Sequence, residues 1–215
     1  RRVLFRLEAG RCAEVLSLYS GLPGGATLDG VSQYRWGFCL AEQRQPGAEE
    51  RYTKAAEVLG REAAGARAPL LVHFYRVNAL LNLERKDEAK DAALTAIAAW
   101  KAGQLTVPAD DAVSWFRFGK LTSDSGDAKG ALDPFRRAIA IAASQPGALR
   151  QAYLERIGNY AREQGDTELS AAALAELEKV APSSPKTLLQ RAQLLIEARR
   201  WDEAKALLDP AGRGP

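Results

Sequence analysis

Few side chains in this 215-residue sequence combine the type and the spacing that catalysis or metal binding requires. His73 is the only histidine, so the multi-histidine sites that zinc and copper prefer are excluded. His73 also stands where a bulky core residue is expected in the repeat described below. We therefore expect its imidazole to be packed or partly exposed and to have no ligand role.

The two cysteines, Cys12 and Cys39, do not have the Cys-x-x-Cys spacing of a redox or zinc motif. Both lie in apolar, helical sequence, where a cysteine usually behaves as a small core residue. We expect that role for each of them. The sequence alone leaves open whether they are free thiols or form a disulfide.

The remaining motifs are formal matches without their usual context. Residues 183–186, Ser-Ser-Pro-Lys, fit Ser-x-x-Lys, but their proline-rich position and the lack of companion motifs predict a turn. The glycine cluster at 21–25 contains Pro23 and has no lysine after it, so it predicts a loop and no phosphate site. The acidic pairs Glu49-Glu50 and Asp110-Asp111 stand at expected helix starts, where they complement the helix dipole. The sequence therefore predicts no catalytic residue, no metal and no cofactor.

Composition excludes several broad classes of protein. With 47% hydrophobic and 27% charged residues, the chain can bury a core, which argues against bulk disorder. No run approaches the roughly 18 apolar residues of a membrane span, and a net charge of +3 is too small to indicate nucleic acid. The chain has no Met and begins Arg1-Arg2, which predicts a fragment of a longer protein. Any targeting signal would then lie outside it, and both a cytoplasmic and a periplasmic location stay open.

The elements that must position these residues are predicted to be helices. Alanine, the best helix former, is abundant and clustered, and apolar residues recur three and four positions apart, as at Leu154, Ile157 and Ala161. Glycine and proline interrupt the helical stretches at short intervals. Asp110 or Asp111, and Asp127, are predicted helix N-caps. The sequence predicts an all-α fold of about ten or more helices joined mostly by short loops.

The helices are arranged in a repeat. Four polar turns each lead to a small residue, and these four anchors lie 42, 39 and 34 residues apart: Ala89, Ala131, Ser170 and Ala204. Twelve residues before the anchors, the positions are mostly small: Val77, Gly119, Gly158 and Ala192. Small residues at fixed places on consecutive helices allow the two helices of an antiparallel pair to approach closely. A looser earlier unit has its anchor at Ala48.

This pattern resembles the tetratricopeptide repeat family, whose unit is a helix–turn–helix of about 34 residues. The best-matching unit contains Trp115, Phe118-Gly119, Gly126, Ala131 and Ala138. The next contains Ile157-Gly158, Gly165, Leu169-Ser170 and Pro182, with Ser170 where the family usually has Ala. The last unit keeps Ala192, Trp201 and Ala204. The resemblance is specific for residues 70–209 and looser for 1–69, where another two-helix repeat family is the alternative.

The resemblance implies a right-handed α-α superhelical solenoid that extends over residues 1–215. Its predicted segments are a partial repeat at 1–27, a degenerate repeat at 28–68, repeats at 69–109, 110–149 and 150–184, a final partial repeat at 185–209 and a tail at 210–215. Because two spacings exceed the family unit, we expect longer helices or loops near 60–69 and 101–111. In the family, the first helices line a concave face that binds extended peptides or other proteins.

The repeat predicts which side chains line that face. Eleven residues before the anchors stand Asn78, Lys120, Asn159 and Gln193, and fourteen before stand Tyr75, Arg117, Arg156 and Gln190. Phe116, in the row fifteen before, offers an apolar contact. Asparagine can bond a peptide backbone and arginine can fork onto a carboxylate, so these residues predict a polar, locally positive groove. The alternative is an ordinary solvated surface.

Three functions fit these expectations. The first is a non-catalytic scaffold that binds a protein or peptide, acidic or carboxylate-bearing, with no nucleic acid partner. The second is an architectural periplasmic scaffold in an envelope or exopolysaccharide export assembly, which rests on analogy with similar repeats. The third is a regulatory repeat domain attached to an enzyme or a transcription factor.

Overall fold

The structure is a computed structural model that describes residues 12–22, 27–65, 67–142 and 148–209. Within these ranges the chain forms only helices and turns, so the predicted all-α fold is confirmed. The predicted tail at 210–215, the part of the first partial repeat before residue 12 and the end of the glycine cluster after residue 22 lie outside the described residues. The helices are α1 Cys12–Ser20, α2 Gly30–Glu42, α3 Ala48–Ala63, α4 Leu70–Asn82, α5 Lys86–Lys101, α6 Ala112–Asp124, α7 Leu132–Ala142, α8 Ala148–Glu163, α9 Thr167–Val180, α10 Pro185–Glu197 and α11 Trp201–Leu208.

Aspartates begin several of these helices. The carboxylate of Asp29 accepts a hydrogen bond from Ser32 N at 2.7 Å, and that of Asp166 accepts one from Leu169 N at 2.9 Å. Asp111 accepts from Val113 N at 3.1 Å, as an N-cap of α6 does. Asp127 accepts from Gly130 N at 2.8 Å, in the turn that leads into α7. These bonds satisfy backbone donors that have no partner inside the helix.

The turn inside each helix pair has the same backbone feature. Glu84, Gly126, Gly165 and Arg199 all adopt a positive φ, between 58° and 95°, and each lies five residues before one of the four anchors. A residue in the left-handed conformation ends the first helix and lets the chain turn back. The shared position confirms that the four anchors are structurally equivalent. The longer connections expected near 60–69 and 101–111 are residues 64–69, between α3 and α4, and 102–111, between α5 and α6.

The chain folds as two compact units, and α6 contributes to both. Unit 1 comprises the described residues up to 109 together with 117–131, and unit 2 comprises 110–116 and 132–209. In unit 1 the anchor Ala89 and the small residue Val77 are buried. A Cβ atom built on Gly30 would lie 2.4 Å from Leu59 Cγ, so α2 and α3 can approach this closely only with glycine there.

In unit 2, a hydrogen bond between two helices accounts for the one anchor that is a serine. The Oγ of Ser170 on α9 donates a hydrogen bond at 3.2 Å to the carbonyl oxygen of Gly158 on α8. Both residues are buried, and the serine hydroxyl adds a hydrogen bond between α8 and α9 that alanine could not form. The core around this contact contains Leu154, Ile157 and Leu177, all fully buried.

Cys12 on α1 and Cys39 on α2 form a disulfide, with their Cα atoms 5.0 Å apart. Both cysteines are buried in an apolar cluster with Val15 and Tyr19, which agrees with the expected core position. The question that the sequence left open is therefore answered in favour of the disulfide. Sequence could not decide it because 27 residues separate the two cysteines, and only the packing of α1 on α2 brings them together.

Candidate binding surfaces

The nine residues predicted to line a groove fall into both units, and each unit is described by itself. Unit 1 contains Tyr75, Asn78, Arg117 and Lys120, on α4 and α6. Unit 2 contains Phe116, Arg156, Asn159, Gln190 and Gln193, on α6, α8 and α10.

Half-buried aromatic rings in unit 1 form a continuous row on α2 and α4. The ring centroids of Tyr34 and Tyr75 are 4.9 Å apart, and those of Tyr75 and Phe74 are 5.4 Å apart. Tyr34 also contacts Tyr52 of α3, which is buried beneath it with ring centroids 5.5 Å apart. Offset and edge contacts at these distances stabilise aromatic pairs. The row therefore has a fixed shape and keeps part of each ring accessible to a ligand.

Two arginines lie against this row. The guanidinium carbon of Arg35 is 5.5 Å from the centroid of Tyr75, and that of Arg117 is 5.7 Å from the centroid of Phe74. Neither guanidinium forms an ion pair with a carboxylate of the described residues. A guanidinium held on a ring face by the cation–π attraction keeps its full charge. We call Tyr34, Arg35, Phe74, Tyr75 and Arg117 the aromatic–arginine surface.

The other two predicted residues of unit 1 bond within their own helices. Lys120 pairs with Asp124 one turn later, so its charge is locally neutralised. Burial raises the pKa of the Asp124 carboxyl, and the nearby Lys120 ammonium partly opposes that shift. The side-chain Nδ2 of Asn78 donates at 2.7 Å to the carbonyl of Phe74. Asn78 thus has its side-chain oxygen left for a ligand, while Lys120 adds little positive charge to the surface.

In unit 2, two of the predicted groove residues are buried and the prediction is corrected for them. Phe116 is 8% exposed, and its ring packs against Phe135 and Tyr153 with centroids 5.9 and 6.1 Å away. Gln190 is also 8% exposed, and its Nε2 donates to Glu155 O at 2.8 Å and to Asn159 Oδ1 at 3.2 Å. Both side chains hold helices together inside the unit, so they are not available to line a groove.

The remaining predicted residues of unit 2 are accessible in different degrees. Arg156 and Asn159 are exposed on α8, and Gln193 is half-buried on α10. Beside them the carboxylate of Glu155 is buried and accepts hydrogen bonds from Gln151 Nε2 and Lys186 Nζ, both at 2.9 Å. The ammonium of Lys186 balances this buried charge.

The sequence prediction missed Tyr34 and Arg35, although a signal for Tyr34 was present. Tyr34 lies fourteen residues before the looser anchor Ala48, as Tyr75 lies fourteen before Ala89. Extending the row of residues fourteen before the anchors to the degenerate repeat at 28–68 would have found Tyr34. Arg35 had no such signal, because only the packing of α2 beside α4 brings its guanidinium over the Tyr75 ring.

The described residues form neither a metal site nor a membrane-spanning helix. In the ranges listed above, no group of three or more His, Cys, Asp or Glu side chains is placed to hold a metal ion. No helix of the described chain has both the length and the apolar character needed to cross a membrane.

Comparison with solved structures identifies the fold. The TPR-like repeats of a proposed kinesin light chain from Podosopora anserina match 85% of this chain and 94% of their own, with a TM-score of 0.58 and 14% identity. MamA matches 85% of this chain and 92% of its own, with a TM-score of 0.51 and 13% identity. The chain has the tetratricopeptide-repeat fold. No protein-family model and no curated protein matches the sequence.

Proposed function

We propose that the chain is a non-catalytic tetratricopeptide-type module that binds a protein or peptide, and that the aromatic–arginine surface of unit 1 is its main contact. The observation that carries this proposal is the state of Arg35 and Arg117. Several other arginines and lysines, such as Arg136 and Arg150, are paired with a carboxylate, while Arg51 and Arg137 lie singly on the rings of Trp36 and Trp115. Arg35 and Arg117 are distinguished by lying on neighbouring rings of one row, and neither forms an ion pair with a carboxylate of the described residues.

The surface has the chemistry to bind an acidic segment that also carries apolar side chains. A guanidinium can accept a carboxylate in a bidentate pair, which is among the stronger hydrogen bonds available to a protein. The half-buried rings of Tyr34, Phe74 and Tyr75 offer apolar area beside the charges. The free side-chain oxygen of Asn78 can accept a backbone N–H of the same segment.

In unit 2 we propose a second, weaker polar contact through Arg156, Asn159 and Gln193. Arg156 and Asn159 are exposed and Gln193 is half-buried, so all three can reach a ligand. Gln190 is buried, and so is Phe116, the one apolar residue predicted for this surface. The predicted residues that remain accessible are therefore all polar. We expect it to contribute charge and hydrogen bonds only.

The acidic preference can be tested with two labelled synthetic peptides, one of alternating Glu and Phe and one of alternating Lys and Phe. Fluorescence anisotropy would measure the Kd of each peptide for the parent chain and for the Arg35→Gln/Arg117→Gln variant. We expect the parent to prefer the acidic peptide and the variant to bind it about tenfold more weakly, since about 1.4 kcal/mol corresponds to a factor of ten. Binding to the parent should also weaken as salt screens the charges.

A charge-matched control separates the surface from the net charge. Arg61 and Arg67 are exposed and lie outside the aromatic–arginine surface, so the Arg61→Gln/Arg67→Gln variant should bind the acidic peptide as the parent does. The Arg156→Gln variant measures the contribution of unit 2 in the same assay. Equal loss in the surface variant and in the control variant, or equal affinity of the parent for both peptides, would show that the proposed surface is wrong.

The disulfide favours one of the alternative contexts. Structural disulfides persist in oxidising compartments and are rare in the cytosol. We infer from the Cys12–Cys39 pair that the chain works in an oxidising compartment, which agrees better with a periplasmic scaffold than with a cytosolic regulatory domain. Export to the periplasm of a bacterial host should yield protein without free thiols, whereas a free-thiol product in that compartment would contradict the inference.

A further inference from the structure

A cleft of about 460 Å³ lies in unit 1, and none of its lining residues belongs to the aromatic–arginine surface. It is bordered by the C-terminal end of α3, the C-terminal end of α5 and His73 of α4. Six alanines and Gly65 supply most of its lining, and no charged side chain contributes to it. The alanine methyl groups make most of the lining apolar, as in typical small-molecule sites.

His73 is the polar group at the base of this cleft. The residue is only 3% exposed, and no hydrogen bond from the described part of the chain reaches its imidazole. Burial lowers the pKa of His73, and the nearby Arg76 guanidinium lowers it further, so the ring is neutral at pH 7. A neutral imidazole has one N–H donor and one acceptor nitrogen, so the ring of His73 can both donate to a ligand in the cleft and accept from it.

The other polar side chains lie nearer the solvent. Thr95 and Gln104 line the cleft and are exposed. The hydroxyl of Thr95 donates to Asp91 O at 2.8 Å, so its oxygen can only accept from a ligand. The cleft is therefore apolar along most of its walls, with the imidazole of His73 at its base and two polar side chains at its edge.

We propose that this cleft binds an uncharged phenol, with the aromatic ring between the alanine walls and the hydroxyl hydrogen-bonded to His73. The lining favours an uncharged ligand, because a carboxylate or ammonium in the cleft would find no opposite charge there. An apolar ring replaces water along the walls, and the hydroxyl can both donate to and accept from an imidazole. The volume lies within the range of roughly 300–1,000 Å³ that is typical of small-molecule sites.

The unique histidine gives a direct test. Protein labelled with ¹³C and ¹⁵N at histidine has one imidazole signal, that of His73. Titration with p-cresol should shift this signal saturably, and toluene, which has the same ring without the hydroxyl, should bind at least several-fold more weakly. N-acetyltyrosinamide distinguishes the source: binding of both phenols indicates a tyrosine side chain of a partner, and binding of p-cresol alone indicates a free small molecule.

Substitutions locate the site. Ala98 is exposed and lines the cleft, so the Ala98→Leu variant should keep the fold and lose at least tenfold in p-cresol affinity as its side chain enters the space. The matched control is Ala175→Leu, at an exposed position in the middle of α9, which should bind p-cresol as the parent does. The proposal fails if neither phenol shifts the His73 signal, if toluene binds as well as p-cresol, or if the Ala98→Leu variant binds like the parent.

Discussion

At the scale of single residues, burial of His73 links the protonation of one side chain to the stability of the fold. Burial favours the neutral imidazole, so the pKa of His73 in the folded chain lies below its ordinary value of 6.5. Above pH 6.5 both the folded and the unfolded chain keep this residue neutral. As the pH falls below 6.5, the unfolded chain binds a proton first, and the free energy of unfolding decreases until the folded pKa is reached.

This prediction can be measured in two ways. The chemical shift of the single imidazole signal, followed against pH, should give a midpoint below 6.5. Urea denaturation should show stability declining from pH 6.5 downwards in the parent and a smaller decline in a His73→Gln variant over the same range. A midpoint at or above 6.5 would contradict the burial of His73.

Residue types alone predicted some of these roles and not others. The bulky repeat position of His73 predicted its burial, and the fourteen-residue offset from the anchors predicted the position of Arg117. The pairing of Lys120 with Asp124 was not predicted, because the distance from an anchor gives the position of a residue on its helix and not the neighbour that its side chain contacts. The burial of Phe116 was missed for the same reason, since its ring turns towards Phe135.

At the scale of elements, two of the turns within helix pairs contain a residue with a strained backbone conformation, and substitution can test that strain. Glu84 has a φ of 58° and Arg199 a φ of 59°, where the equivalent residues of two other pairs are Gly126 and Gly165. A side chain in this left-handed region costs about 1–2 kcal/mol, because its Cβ approaches the following carbonyl oxygen. Glycine has no Cβ and adopts the conformation freely.

The Glu84→Gly variant should therefore be more stable than the parent, by up to about 1 kcal/mol after the greater entropy of unfolded glycine is allowed for. Chemical denaturation measures the change. Glu57, exposed inside α3, provides the opposite case, because Glu57→Gly should lower stability by about 0.5–1 kcal/mol. Destabilisation by both substitutions would show that Glu84 is not strained in the folded chain.

The elements themselves were well predicted because each depends on local chemistry. Alanine-rich stretches with apolar residues three and four apart became helices, and Asp111 caps α6 as expected. The four anchors were found by counting along the sequence, and the shared left-handed turns confirm them. The first half was harder, because the turn before α3 has Arg44 and Gly47 with positive φ and so departs from the spacing of the other turns.

At the scale of the whole molecule, serial packing places the proposed sites in separate parts of the chain. The aromatic–arginine surface and the His73 cleft both belong to unit 1, while Arg156 and Asn159 belong to unit 2. Each helix pair buries its apolar face mainly against its neighbours in the chain. A substitution in unit 2 should therefore affect the two sites of unit 1 little, which lets the Arg156→Gln variant be interpreted independently of both.

The Cys12–Cys39 disulfide should have a large effect on the stability of α1, because each helix packs mainly against its neighbours in the chain and this bond links α1 covalently to α2. The bond closes a loop with a sequence separation of 27 residues, and loop-closure entropy for that length corresponds to about 3.5 kcal/mol of stabilisation. In the Cys12→Ala/Cys39→Ala variant we expect a loss of that order in the free energy of docking α1. Urea denaturation would measure the total change, and amide hydrogen exchange would show whether α1 opens alone or with α2 and α3.

Reduction of the parent by a dithiol should reproduce the hydrogen-exchange pattern of the double alanine variant, since α1 and α2 have no covalent link in either protein. The packing of Tyr19 on Trp36, with ring centroids 5.1 Å apart, remains in either case and opposes the opening of α1. If reduction leaves exchange in α1 unchanged, that aromatic contact and the apolar cluster alone hold the helix, and the disulfide adds no stability to the folded chain.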